Sequence, residues 1–136
     1  MMERGIAAIG MVCLLAAPAL AQSPSGEAAA HAMCFNETQR YTLMDQVGGC
    51  TDLMDYWGKD PRLAQAYDER ANAFLKLKDY GLAIPDFTNA ILLNPQYADA
   101  YLGRARAERA MGGAAEADAD LAHARQIDPN VGSGER

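Results

Sequence analysis

The sequence predicts an all-α chain, folded as a short solenoid of helix-turn-helix units: two clear repeats preceded by a divergent, partial one. Three observations lead there. The stretches AIPDFTNAILLNP (Ala83 to Pro95) and ADADLAHARQIDP (Ala117 to Pro129) share one outline and lie 34 positions apart. At the same offset Tyr67 meets Tyr101, Ala64 meets Ala98, Ala71 meets Ala105, Phe87 meets Leu121 and Ala90 meets Ala124. Each period also divides into two helix-length apolar patterns around a short turn, Lys78-Asp79 in the first and Gly112-Gly113 in the second. A unit of this size cannot bury its apolar face alone, so about three stacked units are expected.

The N-terminal 21 residues are set aside before the fold is considered. MMERGIAAIGMVCLLAAPALAQ carries Arg4, an apolar run from Ile6 to Leu15, and small residues at Ala19 and Ala21 that suit a signal peptidase. Cleavage after Ala21 would leave Gln22 as the first mature residue. The run is shorter than the ~20 apolar residues that span a bilayer, so no membrane anchor is expected after cleavage. The mature chain is therefore expected to be periplasmic or secreted. Cys13 leaves with the signal, and Cys34 and Cys50 remain as an even pair in an oxidising compartment. A Cys34–Cys50 disulfide is the natural reading, a staple rather than a redox centre, because catalytic pairs usually sit close in sequence.

The elements then follow in order. Residues 22–33 read as a flexible N-terminal segment and 34–62 as the divergent partial repeat that holds the disulfide. There Thr51 falls in register with Thr88, and Tyr56 and Trp57 beside Gly58 are expected to close this leader against the next unit. Residues 63–96 form the first repeat, with helices over Leu63 to Leu77 and Tyr80 to Leu93. Asp79 is placed to cap the second of these. Pro85 inside that helix predicts a local kink without a break. Residues 97–130 form the second repeat, with helices over Tyr97 to Met111 and Ala114 to Ile127. Small Ala71, Ala83 and Ala90 let the helices approach, and Tyr67, Phe74 and Phe87 fill the space around them. Pro95 and Pro129 stop helices, and Pro95 is suited to open the next. Residues 131–136 read as a flexible tail.

With Tyr67, Ala71, Phe74, Ala83, Phe87, Ala90 and Pro95 at their places in a 34-residue period, the chain resembles the tetratricopeptide repeat (TPR) family. The segment around Cys34 is similar to the leader that precedes the repeats in exported bacterial members. The second copy departs from the pattern at Glu108, which stands where Phe74 stood. The resemblance implies a non-enzymatic module whose first helix in each repeat lines a concave groove for a peptide or protein segment. The implied groove positions are Gln65, Asp68, Asn72 and Leu75 in the first copy, and Asp99, Leu102, Arg106 and Arg109 in the second. Some members clamp a C-terminal carboxylate with Lys and Asn one turn apart. Asn72 fits that Asn, but Asp68 occupies the Lys position and would repel a carboxylate. A mixed groove reading an extended segment through Asn72, Arg106 and Arg109 is the resulting expectation.

Composition and motifs narrow the remaining classes. The chain has 136 residues, a net charge of -6 and half its residues hydrophobic, which suits one domain with a modest core and argues against nucleic acid. His31 and His123 are the only histidines. No nucleophile triad, phosphate loop or paired-His motif is present, so no catalytic residue, cofactor or metal is expected. A His31/Cys34 metal site would lack two further ligands, and acids such as Asp118 and Asp120 read as a solvated helix face. Self-association into a homodimer is the structural alternative, through a Leu121/Ala117/Ala124 side left uncovered on the last helix.

Overall fold

The computed structural model describes residues 25–133; the expected signal peptide (1–21), residues 22–24 and residues 134–136 lie outside them. Six helices follow one another: α1 (Gly26–Phe35), α2 (Leu43–Trp57), α3 (Leu63–Lys76), α4 (Tyr80–Leu93), α5 (Ala98–Ala110) and α6 (Ala114–Ile127). They pair as three hairpins, α1 with α2, α3 with α4 and α5 with α6, and the hairpins stack through α2 on α3 and α4 on α5. The odd helices also touch each other along one side, α1 with α3 and α3 with α5. Among the described residues the even helices do not approach one another, so α1, α3 and α5 line the inner face.

The N-terminal unit differs from its expectation. Residues 26–35, of which 26–33 were expected within a flexible segment and 34–35 within the partial repeat, form a helix that makes a full hairpin with α2. Ser25 caps it by accepting from the Ala28 N–H at 3.3 Å, and Ala30 and Cys34 are buried beneath α2. The approach depends on Gly49. A methyl group there would overlap Met33 Cβ and come within 2.8 Å of the Ala30 carbonyl oxygen. The structure joins Cys34 to Cys50, with Cα atoms 4.5 Å apart, in a core that also contains Leu53, Trp57 and Ala66. Thr42 and Asp45 form a capping box at the start of α2. Trp57 is buried against this core, donates from Nε1 to Glu27 at 2.9 Å and carries the Arg62 guanidinium over its ring, while Tyr56 stays exposed.

In the repeat units the helix ends fall within a residue of the expected ones, since the turns dictate them. Lys78 and Gly112 both take positive φ (62° and 92°), and both turns close with the next N–H reaching back to Phe74 and Glu108 carbonyls. Asp79 stands at the N-cap of α4 without a capping bond from its side chain. Pro95 lies in the turn ahead of α5 rather than opening it. α4 runs through Pro85 without a break. The second core gathers Ala71, Ala83, Phe87, Ala90, Ile91, Ala100 and Ala107, with Tyr67, Phe74, Tyr97 and Tyr101 packed on it.

A polar clasp recurs with the repeat. Arg70 donates to both carboxylate oxygens of Asp86 (2.7 and 2.9 Å) and to the Thr51 hydroxyl of the preceding unit (3.0 Å). Arg104 does the same with Asp120 (2.6 and 2.8 Å) and Thr88 (3.1 Å). Each threonine in turn donates to the carbonyl four residues back, Val47 or Ile84. Asp120 is therefore buried and paired, not part of a solvated face; only Asp118 is exposed. Glu108 sits 3.9 Å from Arg104, which accounts for an acid at the place Phe74 holds in the first repeat. Arg104→Met would keep the apolar stem and leave Asp120 buried without its cation. The arginine side chain is about a fifth exposed (20 %), so the loss should fall below that of a fully buried pair, at about 2 kcal/mol in urea unfolding. Asp120→Leu in the same chain should recover most of it.

Candidate functional site

The inner face between α3 and α5 holds a hollow of about 430 Å³, lined by Asp68, Glu69, Asn72, Tyr97, Asp99, Leu102, Arg106 and Gly132. Helical spacing explains the convergence. Asp68, Glu69 and Asn72 lie within little more than one turn of α3, while Asp99, Leu102 and Arg106 follow at three- and four-residue steps along α5. Residues 131–133, expected as flexible, make turn hydrogen bonds (Val131 N–H to the Asp128 carbonyl, Ser133 N–H to that of Asn130, each 3.0 Å). This turn brings Gly132 against Leu102 at one end of the hollow.

Five of the eight expected groove residues meet here: Asp68, Asn72, Asp99, Leu102 and Arg106. Gln65 lies in an adjoining hollow of about 310 Å³ with Arg62 and Asn94, and Tyr97 forms a wall of both. Leu75 does not line this hollow; its apolar side chain packs on the core with Phe74 and Ile84. Arg109 turns away as well, drawn 2.5 Å from Asp118 of α6. The sequence reading missed Glu69, Tyr97 and Gly132. Tyr97 has Leu63 as its counterpart one period earlier and Glu69 has Gly103 one period later, so the repeat offered no signal for either.

Asp68 dominates the electrostatics. It is 4 % exposed, and its Oδ2 accepts from Asn72 Nδ2 at 3.0 Å and from the Tyr97 hydroxyl at 3.3 Å. Its Oδ1 is buried with no hydrogen-bond partner among the described residues. Burial, reinforced by Glu69 and Asp99, pushes its carboxyl up to about 7, against the smaller pull of the Tyr97 and Asn72 hydrogen bonds. Burial also raises Glu69, with Lys76 opposing, and raises the Tyr97 hydroxyl beside these acids.

Between its ordinary value of 3.8 and about 7, Asp68 is protonated in the folded chain and ionised in the unfolded one. Stability should therefore fall as pH rises through that window. Asp68→Asn, neutral and of the same shape, should stabilise by on the order of 2 kcal/mol at pH 8 once water reaching the groove is discounted, and hardly at pH 4. Urea midpoints at the two pH values read this difference.

The other candidates are placed as follows. Ala117 and Ala124 are fully buried and Leu121 is half-buried, so the side of α6 expected to stay uncovered is covered by the fold. The large exposed apolar side chains of the repeat units are instead Leu82, Leu92 and Leu93 on α4, with Leu77 and Met111 at helix ends. His31 stacks on Phe35 at 4.4 Å and His123 on Tyr101 at 4.4 Å. Among the described residues no group of three or more His, Cys, Asp and Glu could hold a metal, and no helix is long and apolar enough to cross a membrane.

No family model matches the chain. Over 81 residues it is 33% identical to a DnaJ homolog subfamily C member 7 homolog of Dictyostelium discoideum, a stretch that is 57% of this chain and 15% of that protein. Among solved structures it resembles the TPR2B domain of yeast Sti1 in complex with pHsp70, at TM-score 0.67 and 27% identity over 81% of this chain and 86% of that one. It also resembles the first TPR of Spaghetti (RPAP3) bound to the HSP90 peptide SRMEEVD, at TM-score 0.63 and 26% identity over 74% of this chain and 80% of that one. The six helices form an all-α solenoid with the fold of TPR domains.

Proposed function

We propose that the chain is an exported, non-enzymatic interaction module that holds an extended peptide or protein segment in the groove between α3 and α5. The observation that carries this is the hollow of about 430 Å³ in which polar side chains of two successive units converge on the inner face. Two solved structures with this fold are complexes, one with pHsp70 and one with an HSP90 peptide. Export rests on the N-terminal sequence, Arg4, the apolar run and Ala19-Leu20-Ala21, and on the joining of Cys34 to Cys50. In the native host the mature protein should begin at Gln22, which N-terminal sequencing reads directly; a chain still starting at Met1 would sink the export claim.

The binding claim is tested by site-specific photocrosslinking in the protein's own compartment. A photoreactive residue at position 72 lies in the groove, and one at position 119 lies on the exposed side of α6. A foreign polypeptide captured from position 72 alone, through one mapped segment, and lost on filling the hollow with Leu102→Trp, is the expected result. Equal capture from both positions, or capture that survives Leu102→Trp, overturns it.

A further inference from the structure

On that groove reading, we propose that the hollow between α3 and α5 is a receptor for a basic side chain, a Lys or Arg of the bound segment, with Asp68 Oδ1 as its acceptor. The charge count comes first. Among the described residues three carboxylates line the hollow, Asp68, Glu69 and Asp99, with the guanidinium of Arg106. An acidic segment such as SRMEEVD, held by the Spaghetti (RPAP3) domain, would bring negative charge toward all three.

The second observation is independent of that count. Asp68 lines the hollow, is 4 % exposed, and its two hydrogen bonds both end on Oδ2, leaving Oδ1 buried with no partner among the described residues. A buried acceptor without a donor is destabilising, and a ligand group that supplies the donor relieves that cost. An ammonium or guanidinium supplies both the donor and the positive charge, and charge-assisted bonds of this kind are the strong ones. A neutral segment supplies at most the donor.

The titration of Asp68 agrees. The groups facing it are Glu69 and Asn72 from α3, Tyr97 just ahead of α5, and Asp99 and Arg106 from α5. With its carboxyl near 7, a cation seated on Oδ1 favours the ionised form, so binding releases a proton near neutral pH and weakens as pH falls below about 6.

The test uses the mature chain and an array of acetylated, amidated heptapeptides, randomised except for a central Lys, Arg, Gln or Glu. Lys and Arg arrays should be retained about tenfold over the Glu array at pH 7.5, the scale of charge discrimination at an interface, with the ratio shrinking at pH 5.5. Asp68→Asn should bring the ratio close to one. Since that variant is expected to be more stable than the parent, unfolding cannot account for its loss. Peptides bound by the parent and lost on Leu102→Trp, but with no preference for a central cation, would overturn this proposal and leave the groove reading standing. Binding untouched by Leu102→Trp, or none on any array, would overturn both.

Discussion

Phe87→Ala is expected to lower the unfolding free energy by about 4 kcal/mol, the largest effect of any substitution considered. The ring is fully buried, the largest such side chain in the described core, and packs between the two repeat units. It lies directly on the backbone of α5 at Gly103, where an added methyl would overlap the ring. The same contact therefore predicts a second result. Gly103→Ala should cost about 2 kcal/mol by overpacking. In a Phe87→Leu background the smaller side chain leaves room, so Gly103→Ala should then be nearly neutral. A urea-unfolding cycle over the four proteins reads the coupling directly. Additive losses would show that Gly103 is tolerated for its own backbone and not for the ring.

Loss of the Cys34–Cys50 bridge should cost about 3 kcal/mol, the chain-entropy expectation for a loop of this length. The two residues are 16 apart in sequence and both are fully buried between α1 and α2. The expected measurement has two parts. Thiol labelling of denatured protein should find no reactive cysteine in the mature chain before reduction and two after it. In the Cys34→Ala/Cys50→Ala variant, amide exchange should rise first in α1 and α2, while α5 and α6 keep their protection. Exchange rising evenly along all six helices would contradict a staple local to the first hairpin.

How much of this was legible in the sequence depends on what each residue answers to. The four helices of residues 63–127 were, because proline, glycine and the 34-residue period fix their ends with little help from packing. α1 was not. Its Ala-rich stretch reads as a tail in isolation, and it becomes a helix with a buried side only because Gly49 lets α2 come close. In the groove, spacing along α3 and α5 grouped Asp68, Asn72, Asp99, Leu102 and Arg106, which line one hollow. Leu75 and Arg109 lie outside that hollow, their side chains engaged by the core and by Asp118. The clasp was legible in principle, since Arg70 and Arg104 stand one period apart, as do Asp86 and Asp120. A charge pair 16 residues apart on two different helices leaves no helical spacing to notice.

The clasp also gives the array a direction. Each arginine is held within its own hairpin by an aspartate but reaches backwards to a hydroxyl on the hairpin before it, Thr51 or Thr88. The last hairpin carries Ala122 where Thr88 stands one period earlier, so it can receive no such reach. The hairpins are thus not interchangeable bricks. Were the last two exchanged in a shuffled gene, Arg104 would still meet Thr51, but Arg70 would face Ala122 and its third hydrogen bond would go unmade. The order of the units is written in their side chains as well as in the chain that connects them.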